Sequence, residues 1–276
     1  MKLFSKKTSK IALAIVCVAA LMGTKSALAG VAGSKHDLGS GGAAQAQSTL
    51  TTEVCVFCHT PHGSEASAKA PLWNKTLTTT DFSSNRYDGA QSTTIDGANI
   101  TVGSVSLACL TCHDGSQAMD VMINAPGTSD TLTAARFDAT AFGTGIIDAT
   151  SQRNLGTDLS NDHPVSIQYG GGGITTGNLV TADADFVDPQ YASINGNDAW
   201  WVDVTGGKVN GVAVGGNAGT REKSDMILYT TGAQPYVECA SCHDPHNSDT
   251  GLVTNQVSFL RIDNTGSAVC LACHTK

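Results

Sequence analysis

The sequence predicts a mostly irregular chain, with short helices and a few small β-hairpins, wrapped around covalently held groups that supply much of its core. Three observations predict this class. No stretch of the 276 residues sustains helical apolar periodicity. The 247 residues after Ala29 hold only 14 aromatic side chains and are rich in Gly, Thr, Ser, Asn and Asp, so side chains alone would build a thin core. The pattern Cys-x-x-Cys-His occurs four times, with its cysteine pairs at Cys55/Cys58, Cys109/Cys112, Cys239/Cys242 and Cys270/Cys273.

Residues 1–29 read as an export signal. Lys2, Lys6, Lys7 and Lys10 form a basic region, an apolar run follows from Ile11 to Met22, and Ala27-Leu28-Ala29 is a cleavage site of the A-x-A kind. The run is shorter than the roughly 20 residues that span a bilayer, so no retained membrane anchor is expected. Cleavage after Ala29 discards Cys17 and leaves eight cysteines, all of them in the four motifs. The remaining chain carries 11 basic residues against 24 acidic ones, a net −13. Such a surface disfavours nucleic acid and favours partners with basic patches, or metal cations.

Each motif reads as the attachment site of one c-type haem. The two thiols add across the haem vinyl groups, and the adjacent histidine lies under the ring and binds the iron. Disulfides or zinc ribbons also use eight cysteines, but neither requires a histidine after every second one. Four covalent haems are therefore expected, with His59, His113, His243 and His274 as proximal ligands. Each macrocycle is a broad apolar surface that folding can bury.

Four of the eight histidines remain: His36, His62, His163 and His246, one for each iron. Met119, Met122 and Met226 are too few to serve instead. Bis-histidine ligation at all four irons is the expectation. It places the potentials towards the low end and leaves no open iron for a substrate, so an electron carrier is expected rather than an enzyme.

The motifs repeat as two units. Cys55–His62 and Cys239–His246 share Cys-x-x-Cys-His-x-Pro-His, and each is followed by a plain motif. The expected organisation is a signal over 1–29 and one tetrahaem domain over 30–276. Within it lie a first unit at about 30–115, a central insert at 116–235 and a second haem pair at 236–276. A histidine three positions after a proximal one cannot reach the far face of its own haem. His62 is therefore expected over the haem of Cys109/Cys112, and His246 over that of Cys270/Cys273. His36 and His163 would then cap the first haem of each unit. Short helices are expected over the motifs, a strand near 99–102, and turns at Asp88-Gly89 and Asp96-Gly97. Asn210-Gly211 signals a hairpin between Lys208-Val209 and Val212-Ala213-Val214. Trp200-Trp201 are expected to pack, and Asp183, Asp185 and Asp188 form a weak cation signal.

Several segments carry a resemblance. They are Lys35-His36-Asp37-Leu38, Cys55-Val-Phe-Cys-His-Thr-Pro-His62, Pro71-Leu72-Trp73-Asn74, Cys109-Leu-Thr-Cys-His-Asp114-Gly115, Asn161-Asp162-His163-Pro164-Val165-Ser166 and the C-terminal motif. Together they resemble the filament-forming extracellular tetrahaem cytochromes of the OmcE type from metal-reducing bacteria. The resemblance implies stacked haems, parallel and T-shaped by turns, continuous between subunits. It also implies that one axial histidine comes from the next subunit, with His36 the first choice and His62 the second. The leading expectation is a secreted electron conduit. It would assemble head to tail with itself and pass electrons to redox partner cytochromes, metal oxides or electrodes. A soluble periplasmic shuttle is the alternative, and a multihaem reductase subunit is disfavoured by the histidine count.

Overall fold

The computed structural model describes residues 30–42, 44, 47–48, 51–82, 101–119, 121–125, 145–204, 208–209, 212–213, 219–247 and 259–275. The expected export signal, both expected Asp-Gly turns and the first half of the strand expected near 99–102 lie outside them. Thr101 and Val102, its second half, are not in a strand.

Helices form where the motifs need them. α1 spans Ser104–His113, α2 Cys239–Cys242 and α3 Ala268–Cys273. Helical spacing brings cysteines i and i+3 and the histidine at i+4 onto one side of the turn. The first motif makes one such turn without a helix, closed by the His59 N–H donating to the Cys55 carbonyl at 2.8 Å. The other plain and extended motifs close alike, with His243 N to Cys239 O at 3.1 Å and His274 N to Cys270 O at 2.9 Å.

The insert builds more than small hairpins. β1 (Ile167–Gln168), β2 (Gln190–Ile194), β3 (Asn197–Val202), β6 (Met226–Thr231) and β7 (Gln234–Val237) form one antiparallel sheet in the order β1-β7-β6-β3-β2. β4 (Lys208–Val209) and β5 (Val212–Ala213) pair separately with Val209 opposite Val212, the register the Asn-Gly hairpin signal predicts. The pleat alternates side chains, so Trp200 and Val202 of β3 share a face with Met226 and Leu228 of β6. That face, with Tyr169, Ile174 and Ile262, packs against Cys242 and against Ala268, Val269, Ala272 and Cys273 of α3. Trp200 is fully buried and Trp201 is 2 % exposed, as expected of packing residues. The sheet is thus the floor beneath the second pair of motifs.

Of the four glycines at 170–173, all have positive φ. At Gly170 (φ +58°) a Cβ would also fall 2.5 Å from a Thr181 methyl, so both conformation and space demand glycine there. A second apolar cluster of Leu38, Ala44, Phe57, Met119 and Ile147 surrounds Cys58 and Cys112. A third, of Phe82, Val102, Leu110 and Leu159, supports the outer side of α1.

Candidate haem-attachment and ligand site

The two extended motifs sit in one backbone frame. In the first, the Asn74 N–H donates to the Cys58 carbonyl and the Thr60 N–H to the Leu72 carbonyl, and His59 bridges Trp73. In the second, Arg261 N–H donates to Cys242 and Asp244 N–H to Phe259, and His243 bridges Leu260. Leu72 (φ 56°) and Phe259 (φ 64°) hold the same left-handed turn position.

The units meet between α1 and α2. Cys109 and Cys239 are hydrogen-bonded to each other; burial and the bond it donates push the Cys109 thiol well up, and the same bond lowers Cys239. Glu238, buried at the start of α2, accepts from the Ser106 hydroxyl of α1 and from Ser166 at 3.0 Å. Burial raises its pKa. Gly103 lies against this carboxylate, and a Cβ there would overlap it at 2.1 Å.

Burial raises Cys58 to about 12, Cys273 to about 12 and Cys242 to about 11, and raises Cys112 as well. No disulfide joins the eight described cysteines. Among the described residues, the three-donor group of metal-ligand spacing is Asp203, Glu222 and Asp225, not a cysteine cluster of the zinc kind. That carboxylate group was not foreseen. Asp183 and Asp188, which carried the weak cation signal, accept turn hydrogen bonds from Asp185 N and Thr181 N.

Backbone carbonyls hold three of the imidazoles. The Nδ1 of His59 bonds the Pro71 carbonyl at 2.6 Å, that of His113 the Arg153 carbonyl at 2.7 Å, and that of His163 the Pro164 carbonyl at 3.0 Å. A carbonyl only accepts, so Nδ1 carries the proton and Nε2 is left with a free lone pair. Burial lowers His36 to about 4 and also lowers His113 and His163.

The rings meet in pairs other than those expected of the ligands. His36 faces His113, with centroids 6.2 Å apart and planes at 70°, rather than His59. His246 faces His59, at 6.0 Å and 17°, rather than His274. The His274 charge acts on His163. The physical reason is the packing of one unit on the other. The junction at Glu238 brings the end of the third motif over the first, and Phe259 of the second unit stacks on His36 at 4.1 Å and 7°. His62 is exposed, and its ring makes no ring contact among the described residues. Two imidazoles on opposite sides of one metal ion, each nitrogen about 2 Å from it, hold their centroids about 6 Å apart. Both measured spacings fit an iron between the rings.

A family model for a doubled CXXCH motif matches residues 234–276. No curated protein matches the chain. The motifs indicate covalently bound c-type haem, and the doubled motif is that of a multihaem cytochrome in electron transfer.

Proposed function

We propose that the protein is a tetrahaem electron-transfer cytochrome in which all four irons take two histidines and the polypeptide wraps the four haems. The observation that carries this reading is the pair of imidazole couples at 6.2 Å and 6.0 Å, each joining a motif histidine to a spare one. The haem supplies the one-electron chemistry. The chain would attach it through the eight motif cysteines, with the His59 and His113 tautomers fixed by the Pro71 and Arg153 carbonyls. Two histidines at each iron would leave none open to a substrate, and the protein would act as a carrier. The test is mass spectrometry for four covalent haems with electron paramagnetic resonance of the oxidised protein. Four low-spin centres are expected; a substantial high-spin signal in the assembled form overturns the ligation.

The export signal and the likeness to filament-forming cytochromes support a secreted conduit that polymerises head to tail and feeds extracellular acceptors. His62 takes the place of His36 as the ligand offered to a neighbouring copy. His36 is engaged with His113 and Phe259 of its own chain, whereas His62 stands exposed. A heterologous contact that does not close yields a filament. Electron microscopy of secreted material is expected to show filaments, and dissociation is expected to turn about one haem in four high-spin. A monomer at high concentration with four low-spin haems favours the periplasmic shuttle instead.

A further inference from the structure

Lys75 is a cation inside the protein, 1 % exposed. Its Nζ donates to the Met119 carbonyl at 2.6 Å and to the Val121 carbonyl at 2.9 Å. No carboxylate among the described residues forms an ion pair with it. Burying a charge is expensive, so keeping one here calls for a reason. Holding the 119–121 segment in place is not sufficient. Asn74 and Arg261 make the same backbone bond to Cys58 and Cys242, so the residues that follow them, Lys75 and Ile262, occupy equivalent positions. Ile262 is buried to 2 %, so the frame closes with an aliphatic side chain there.

The charge stands beside the attachment points of two haems. Asn74, which precedes Lys75, donates its N–H to the Cys58 carbonyl, and Met119, whose carbonyl Lys75 holds, packs in the apolar cluster around Cys58 and Cys112. Two residues beyond Cys112 lies the buried Asp114 carboxylate, held by the Thr78, Thr80 and Ser116 hydroxyls. The second repeat differs. Its Arg261 guanidinium is clamped on the Ala240 and Lys223 carbonyls, and the Asp244 carboxylate lies within its field.

We propose that the Lys75 ammonium sets the reduction potential of the haem attached at Cys55 and Cys58, raising it above what the same haem has over a neutral side chain. The reaction is addition of one electron, from a donor cytochrome or a chemical reductant, to a ferric haem, which loses one unit of positive charge. A fixed cation in a medium of low dielectric favours that product. The haem at Cys109/Cys112 shifts less, because Asp114 offsets the cation. The inference rests on haem being attached at these cysteines, which mass spectrometry of the wild type reports separately.

The test is a spectroscopic redox titration of Lys75→Met and Lys75→Arg, each checked for four covalent haems. Lys75→Met is expected to lower one of the four redox components, changing its reduced-to-oxidised ratio at fixed ambient potential about tenfold, and Lys75→Arg to restore it. Four components that superimpose on the wild type overturn the proposal, as does a Lys75→Arg variant shifted as far as Lys75→Met. Should Lys75→Met fail to retain four haems, Lys75→Gln decides. One component moves down if Lys75 acts through its charge, and an unmoved titration overturns it.

Discussion

In the first repeat unit the chain returns past its Cys-x-x-Cys-His turn through Leu72, Trp73 and Asn74; in the second it returns through Phe259, Leu260 and Arg261. The backbone bonds are the same, and the side chains hung on them are not. Leu72 is 53 % exposed, whereas Phe259 is 9 % exposed and stacks on His36. The neutral Asn74 amide holds the Val56 carbonyl at 2.7 Å, and the Arg261 guanidinium holds the equivalent Ala240 carbonyl at 2.9 Å. His246 folds back onto His59, while His62 faces outwards. The difference teaches that the motif sets the frame, and that ligand sharing, charge and exposure are assigned by the neighbours each copy meets.

The two extension histidines give the largest expected contrast. His246→Ala is expected to leave four covalent haems by mass and convert the Cys55/Cys58 haem to a five-coordinate, high-spin centre in the dissociated chain. His62→Ala is expected to leave the dissociated chain's resonance spectrum unchanged and to abolish filaments. Equal effects of both variants on the isolated chain would erase the asymmetry drawn here.

The two carbonyl clamps come next. Asn74 is fully buried and joins Val56, Asn124 N and the Asn124 carbonyl, all within 2.8 Å. Asn74→Ala strands these groups and is expected to cost about 3 kcal/mol in denaturant unfolding. Arg261 is half-buried, with part of its guanidinium in water, so Arg261→Ala is expected to cost less, about 1–2 kcal/mol.

The junction between the units carries a pH signature. Burial raises the Glu238 pKa above the ordinary 4.5, so the folded protein keeps this proton to higher pH than the unfolded chain does. Its stabilising contribution is complete below 4.5 and is lost as pH rises through the folded value. Glu238→Gln is expected to flatten the fall in stability as pH rises above 4.5. An unchanged slope in unfolding curves across that range would remove Glu238 as its source.

The smallest effect separates the two left-handed turns. Leu72→Gly relieves a strained φ at an exposed position and is expected to be neutral or to stabilise by about 0.5 kcal/mol. Phe259→Gly relieves the same strain but loses the stack on His36, and is expected to destabilise. Thermal unfolding of the pair reads the sign directly.

Much of the site was legible before any coordinates. Cys-x-x-Cys-His fixes cofactor type, proximal ligand and helical phase within five residues, because the chemistry is local. The Asn-Gly hairpin is likewise written in adjacent residues. The five-stranded sheet was not legible: its strands are two to six residues long, drawn from a Gly- and Thr-rich insert, and β1 joins β7 across some 70 positions. Lys75 gave no signal either, since a lysine between Asn74 and Thr76 reads as surface until the chain at 119–121 is laid over it.

The sequence by itself determined where the haem-attachment motifs stand, which histidines are candidates as ligands, and that the motifs come in two like units. Only the tertiary structure decided which histidine faces which. Ring pairing depends on where Glu238, Ser106 and Ser166 lock one unit onto the other and where Phe259 lands on His36. Those contacts join residues about 70 to more than 200 positions apart, and no local pattern encodes the distance between two rings that meet only when the whole chain has closed.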